Sequence, residues 1–399
     1  MTGSTARLVG SSALRSRIAN LLPPSSGDYS RCELQNDDGP LTSFGALGRV
    51  RSVRFKRRKL RIPAVLAVAL SIGAGCTRDH RTPVVVYSPH GRDLLGLVEK
   101  TYEAAHPDVD VRWLDMGSQE VYDRIRAEKA NPQCDVWFGG PDTIFARGVK
   151  DGLLEAFEPS WAAAVPAESR HAGLYTGLYR TPVALLYNRE AVAPSDAPKD
   201  WDDLLAPRFA GQVLIRDPLA SGTMRAVWAM ILSRSIAETG SPERGFAWLK
   251  RLDAGTREYV VNGSILCEKI ARREGLVTIW DLPDILLEEQ RNPALAHVFS
   301  SSGSPVIDDA VGLARGARHP AQARALIEWL GSPEAQLLAA EKAYRLPART
   351  DLPEEKLPAW ARETLKTLVP AHLNPKLVEE QGSTWMARWD REIKGRGKN

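Results

Sequence analysis

A two-lobed α/β fold is what this sequence predicts, on three observations. At 399 residues the chain is longer than one hydrophobic core ordinarily supports, so two lobes are the default. Three separate stretches repeat one design, an apolar strand followed by a turn of small residues and a helix with one apolar face. No internal repeat or long low-complexity tract interrupts this alternation in the folded part.

The elements follow in order. Residues 84–87 form a strand that breaks at Ser88-Pro89-His90-Gly91 and feeds a helix with Leu94, Leu95, Val98 and Tyr102 on one face, ended by His106-Pro107. Residues 109–114 alternate as a second strand, and Ser118 caps a helix whose Val121, Tyr122 and Ile125 point inward. Residues 135–138 form a third strand, breaking at Gly139-Gly140-Pro141 before a helix through Ile144, Phe145 and Val149. Residues 183–188 are long enough to pass from one lobe to the other, the first hinge crossing.

Residues 213–215 form a short buried strand stopped by Asp217-Pro218, and Ser221-Gly222-Thr223 opens a helix. Residues 277–281 are read as the last strand, with a polar end. From Asp308 the chain returns to lobe one, His319-Pro320 and Ser332-Pro333 start two helices, and a final helix carries Trp385, Trp389 and Ile393 as a packing stripe. The division is then 83–183 with 304–350 for lobe one, 184–303 for lobe two, and 351–399 as C-terminal helices on one lobe.

The net charge of +4 is unevenly placed. The first 75 residues carry 12 Lys and Arg against 4 Asp and Glu, so the rest, 41 against 45, is net −4. The folded part therefore has no overall positive field for nucleic acid. A basic block from Arg51 to Arg61, an apolar run over 62–72 and Gly73-Ala74-Gly75-Cys76 form a secretion signal over 51–76, too short for a membrane span. Cys76 directly after Ala-Gly matches a lipid-attachment site, although Gly73 stands where such sites usually carry Leu. Residues 1–50 read as an extension ahead of a start near Val50 or Val53, or as a disordered segment, and 77–82 as a tether. Cys134 and Cys267 fall in different lobes and read as separate buried thiols.

A helix start leaves about four amides without intrahelical partners and carries roughly half a positive charge, so the Ser221-Gly222-Thr223 turn suits an oxyanion. Ser88, His90, Gly139 and Gly140 lie on turns that would face the same crevice, where ligands of open α/β sheets sit. Arg180, Arg216 and Arg225 are candidate charge partners, and Trp280 and Asp281 end the strand aimed at that crevice. Trp280, Trp137 and Tyr87 could supply an aromatic wall or belong to the core. No nucleophile-and-base motif, Walker loop or metalloprotease motif is present, and the Asp281–Asp284 pair reads as a turn, so binding without turnover is expected.

Val86-Tyr87-Ser88, residues 135–140, Gly152-Leu153-Leu154, Tyr187-Asn188, Asp217-Pro218 with Ser221-Gly222-Thr223, residues 312–317 and residues 346–351 carry a resemblance. In that order they resemble the substrate-binding proteins of bacterial ABC importers, in the group that includes ferric-ion, phosphorylated-sugar and aminoethylphosphonate binders. The resemblance implies the type II periplasmic-binding-protein fold with two hinge-crossing strands, no cofactor, and a lipid-anchored monomer at the cell envelope. A permease and an ATPase are the implied partners. A phosphorylated or phosphonate-type solute is the first ligand reading. Ferric ion is the second, because the tyrosine pair of many iron binders is absent at residues 279–284 and His90 is one residue out of register with their histidine.

Overall fold

The computed structural model describes residues 80–371 and 373–397. The extension over 1–50, the signal over 51–76 and the attachment site at Cys76 lie outside the described residues. The first half is built from β1 (Thr82–Ser88), α1 (Gly91–Ala105), β2 (Val109–Asp115), α2 (Ser118–Ala127), β3 (Val136–Pro141) and α3 (Asp142–Lys150). Two short strands, β4 (Leu154–Glu155) and β5 (Arg170–His171), lead to β6 (Tyr175–Asn188).

The chain then forms β7 (Val213–Arg216), α4 (Gly222–Thr239), α5 (Glu243–Gly255), β8 (Thr256–Val260), α6 (Gly263–Ala271), β9 (Val277–Asp281), α7 (Leu282–Arg291) and β10 (Leu295–Val298). It returns through β11 (Val306–Ala314), α8 (Pro320–Leu330), α9 (Pro333–Ala343) and β12 (Leu346–Pro347), and closes with α10 (Ala359–Thr367) and α11 (Pro375–Glu392).

The strand order is β2-β1-β3-β11-β6-β9-β7-β8, and β6 is the seam. Its residues Thr176 to Pro182 pair with β11, whereas Val183 to Tyr187 pair with β9. One 14-residue strand thus serves both lobes, and the return crossing is fixed beside it, where the Val183 amide donates to the Pro305 carbonyl at 2.9 Å. The packed helix faces follow the apolar patterning: Tyr122, Trp137, Ile144 and Phe145 pack under α2 and α3, and Val86, Leu94, Leu326 and Ile327 pack on the opposite face under α1 and α8.

Several sequence expectations change. The third strand does not break at the glycines; β3 runs through Gly139 and Gly140, whose φ of +94° and +107° keep an extended course that a side chain would resist. The crossing strand begins at Tyr175 rather than near 183, and β10 and β11 follow β9. Ser118 is the first residue of α2, with Gly117 at the cap and Glu120 reaching back to the Gly117 amide at 2.7 Å. Asp281 and Asp284 are not a turn: Asp281 caps α7 by accepting from the Asp284 amide at 3.3 Å, with Pro283 in the first turn where its missing N–H costs nothing. Cys134 and Cys267 are both buried and unpaired.

The C-terminal helix does not lie on one lobe. Trp385 and Trp389 are buried in the core around α4, while Glu379 pairs with Lys150 of α3 at 2.7 Å and Arg388 with Glu243 of α5 at 2.6 Å. Helix α11 therefore straps the two halves together on one side of the seam.

Candidate functional site

Helices α1, α2, α3, α4 and α7 all begin at the carboxyl ends of strands, and three of these starts meet. A Cβ on Gly222 would stand 2.7 Å from Pro141 Cδ and 2.9 Å from Ser118 Oγ, and one on Gly117 would stand 2.7 Å from the Ala220 carbonyl. The Gln119 amide donates to that same carbonyl at 3.4 Å, across the cleft. The starts of α2, α3 and α4, each carrying roughly half a positive charge, converge on one spot. Such an arrangement is self-repelling and suits a negative group.

Not every donor there is available. The Ser221 hydroxyl accepts from the Met224 amide at 3.2 Å, an ordinary N-cap. The Gly140 amide donates to Asp309 Oδ1 at 3.0 Å, and the Ser88 hydroxyl accepts from the His90 amide at 3.2 Å. Among the described residues, the Gly222 and Thr223 amides at the first turn of α4 have no acceptor. Ser118, almost fully buried, stands beside them.

A second cluster lines the cleft next to these turns. His90 is buried, edge-on to Phe138 at 4.7 Å and to Tyr179 at 5.8 Å, and its Nε2 has no partner among the described residues. A Cβ on Gly139 would lie 2.2 Å from that Nε2, so the glycine is required by the ring. Burial, then the Arg345 charge, hold the imidazole well below its ordinary range and therefore neutral. Arg345, only 4% exposed, donates to the His90 carbonyl at 3.1 Å and stands 3.7 Å from Asp284.

Around Arg345 stand Asp281 and Asp309, both raised above the usual carboxylate range, chiefly by burial. Asp284 raises Asp281 further, while Thr181, which donates its hydroxyl to Asp309, works against the rise at that residue. Asp115, raised by burial, accepts from the Gly91 amide and closes the start of α1. The cleft thus offers donors at the α2 and α4 starts and carboxyl groups around one buried guanidinium.

The structure brings Ser88, His90, Gly139, Gly140, Ser221, Gly222, Thr223 and Asp281 onto the strand ends and helix starts around this cleft. It separates Arg180 and Arg225 from them, and the reason is strand alternation. On β6, Tyr179 and Thr181 face His90 and Asp309, so Arg180 between them faces the other way, with Asp308. Arg225 turns from the α4 start to donate to the Leu219 carbonyl at 2.8 Å and borders the same far side as Arg180. The aromatic wall also fails: Trp137 is core, stacked on Phe145 at 4.2 Å, Tyr87 is core with its hydroxyl on Glu128, and Trp280 packs on Gly263 while donating to Asp284 at 3.0 Å. Sequence reasoning missed Ser118, Asp309 and Arg345. The last lies 255 positions from its His90 partner and carries no local signal except the left-handed Tyr344, φ 52°, that ends α9.

The profile of the bacterial extracellular solute-binding protein family matches residues 84–345, well over half of the chain. The chain belongs to that family. It binds a solute rather than turning one over. Among its relatives, y4fP of Sinorhizobium fredii, assigned as an ABC transporter periplasmic-binding protein, is 29% identical over 319 residues, 78% of this chain and 86% of the relative. A Salmonella typhimurium periplasmic protein assigned to 2-aminoethylphosphonate binding is 28% identical over 251 residues, 61% of this chain and 71% of that one.

Solved structures share the fold. AfuA of Actinobacillus pleuropneumoniae, with fructose-6-phosphate bound, superposes with a TM-score of 0.66 at 24% identity, over 78% of this chain and 99% of AfuA. Iron-bound HitA of Pseudomonas aeruginosa does so with a TM-score of 0.66 at 18% identity, over 77% and 98%. These two likenesses establish the two-lobed fold of this solute-binding protein and do not choose between their ligands.

Proposed function

We propose that this solute-binding protein is the capture component of an ABC importer, working in the periplasm with a permease and an ATPase, and that its solute carries a phosphoryl or phosphonate-type oxyanion. One observation supports the oxyanion: three helix starts converge where, among the described residues, the Gly222 and Thr223 amides have no acceptor and Ser118 is at hand. The relative assigned to 2-aminoethylphosphonate binding supports the same chemistry. The carboxyl groups around Arg345 would take the remainder of the solute, whether hydroxyl or ammonium. Ferric ion is the second reading, ranked lower because the tyrosine pair of many iron binders is absent at residues 279–284. Anchoring through Cys76 and a monomeric state belong to the same proposal.

Titration calorimetry with 2-aminoethylphosphonate and with fructose 6-phosphate tests the reading. One of the two is expected to bind at one site, and Ser118→Val to weaken it about tenfold, as loss of a buried donor to a charged group should. Binding of ferric citrate with no response to either compound would overturn the assignment.

A further inference from the structure

Residues 393–397 follow α11 and dock on lobe two. The Asp253 carboxylate, 1% exposed near the end of α5, accepts from the Gly395 amide through Oδ1 and from the Gly397 amide through Oδ2, both at 2.8 Å, and the Tyr259 hydroxyl donates to it at 2.5 Å. Gly395 is left-handed, φ 70°, and a Cβ on Gly397 would lie 2.6 Å from the Ala254 nitrogen, so the two glycines let the backbone come this close.

The docked segment sends one side chain to the loop before α4. The Lys394 ammonium stands 5.8 Å from the Trp389 ring and 5.9 Å from that of Tyr259, and it donates to Asp217 Oδ2 at 2.7 Å. Asp217 in turn organises that loop. Its Oδ1 accepts from the Leu219 amide at 3.0 Å, and its carbonyl accepts from the Ala220 amide at 3.2 Å and the Ser221 amide at 3.0 Å. The residues so held belong to the solute site: the Ala220 carbonyl accepts from Gln119 across the cleft, Ser221 caps α4, and Gly222 and Thr223 come next. Among the described residues, Lys394 is the only cation in an ion pair with the Asp217 carboxylate. The other exposed pair of α11 to lobe two, Arg388 with Glu243, lies on α5 and touches nothing in the cleft.

On the reading of the α4 start as the oxyanion site, on which this inference rests, we propose that Lys394 is a positioning residue for solute binding. Acting through Asp217, it fixes the turn that presents the Gly222 and Thr223 amides, without touching the solute. The docking of residues 393–397 on Asp253 places the lysine for this task.

Three variants of the full chain test it. Lys394→Met keeps the stem over Trp389 and Tyr259 and removes the charge, Lys394→Arg keeps the charge, and Arg388→Met removes the Glu243 pair of the same helix as a control. Hydrogen exchange of the bonded amides of Leu219, Ala220, Ser221 and Met224 is measured without solute, and calorimetry with 2-aminoethylphosphonate and fructose 6-phosphate is measured beside it. Loss of this part-buried ion pair in Lys394→Met should speed exchange at those amides and weaken the bound compound, each by about threefold to fivefold. Lys394→Arg should stay close to the wild type, and Arg388→Met should match it. Unchanged exchange in Lys394→Met, unchanged affinity for a compound that the wild type binds, an equal loss in Lys394→Arg, or an equal loss in Arg388→Met would overturn the proposal. If the wild type binds neither compound, the oxyanion reading falls, and the exchange rates alone decide whether Lys394 holds the turn.

Discussion

Gly139 shows how a single backbone position supports the cleft. Its φ of +94° already excludes an unstrained side chain, and the buried His90 ring occupies the space a Cβ would need. Gly139→Ala is therefore expected to destabilise the protein by roughly 1–3 kcal/mol through strain alone, read as a shift in the urea midpoint with unchanged slope; a neutral result would contradict the backbone strain at this position. Asp142 gives a residue-scale pH prediction. Burial, then Asp308, pushes its carboxyl up to about 6 from an ordinary 3.8, so the folded chain binds the proton more tightly than the unfolded one. Its contribution is then full at low pH and is lost as pH rises through about 6. Asp281, Asp308 and Asp309 are shifted in the same direction, while neutral His90 opposes them once pH falls below its ordinary 6.5. The thermal midpoint should fall between pH 5 and pH 7.5, and less steeply in Asp142→Asn; identical profiles would contradict the Asp142 assignment.

Among the elements, α4 and α11 carry most of the argument. Helix α4 was legible in sequence because Ser221-Gly222-Thr223 follows an apolar strand and Asp217-Pro218, and the cap bond from Ser221 forms as that pattern implies. Which α4 residues turn toward the cleft was not legible, because Arg225 falls in the first turn by spacing yet is drawn off by the Leu219 carbonyl. Strand β6 teaches the same lesson: Arg180 could be named as a candidate, but its face depends on the register with β11, set by residues more than a hundred positions away. The stripe of Trp385, Trp389 and Ile393 was correctly read as packing, while the ion pair to Lys150 that makes α11 a strap had no sequence signature. Trp389, fully buried and edge-on to Trp228 at 5.9 Å, is central to that strap. Trp389→Ala should cost about 3–5 kcal/mol, measured by denaturant unfolding; a loss under 1 kcal/mol would mean that α11 is not needed for stability.

For the whole molecule, the two lobes meet at Gly222 and are joined by β6 and the crossing at Pro305. Two further contacts bridge the cleft away from the helix starts: Arg291 of α7 grips both oxygens of Asp93 on α1, at 2.9 and 3.0 Å, and Arg345 reaches Asp284. Gly222→Val places a side chain where Pro141 and Ser118 of the facing lobe already stand. Small-angle scattering should then show a larger radius of gyration for the variant, with near-native circular dichroism; an unchanged radius would mean that closure does not require the Gly222 contact. The two-lobed order was readable from length and from the recurring strand–turn–helix units. The convergence of α2, α3 and α4 was only an expectation until the packing of Gly117, Pro141, Ser118 and Gly222 was seen.

An oxyanion held between those helix starts is the central expectation for this protein. Mass spectrometry of the small molecule released from protein purified without denaturation tests this most directly. A solute bearing a phosphoryl or phosphonate group, lost from Gly222→Val, is the predicted result. Bound iron without such a group, or a solute with no anionic oxygen at all, would contradict it.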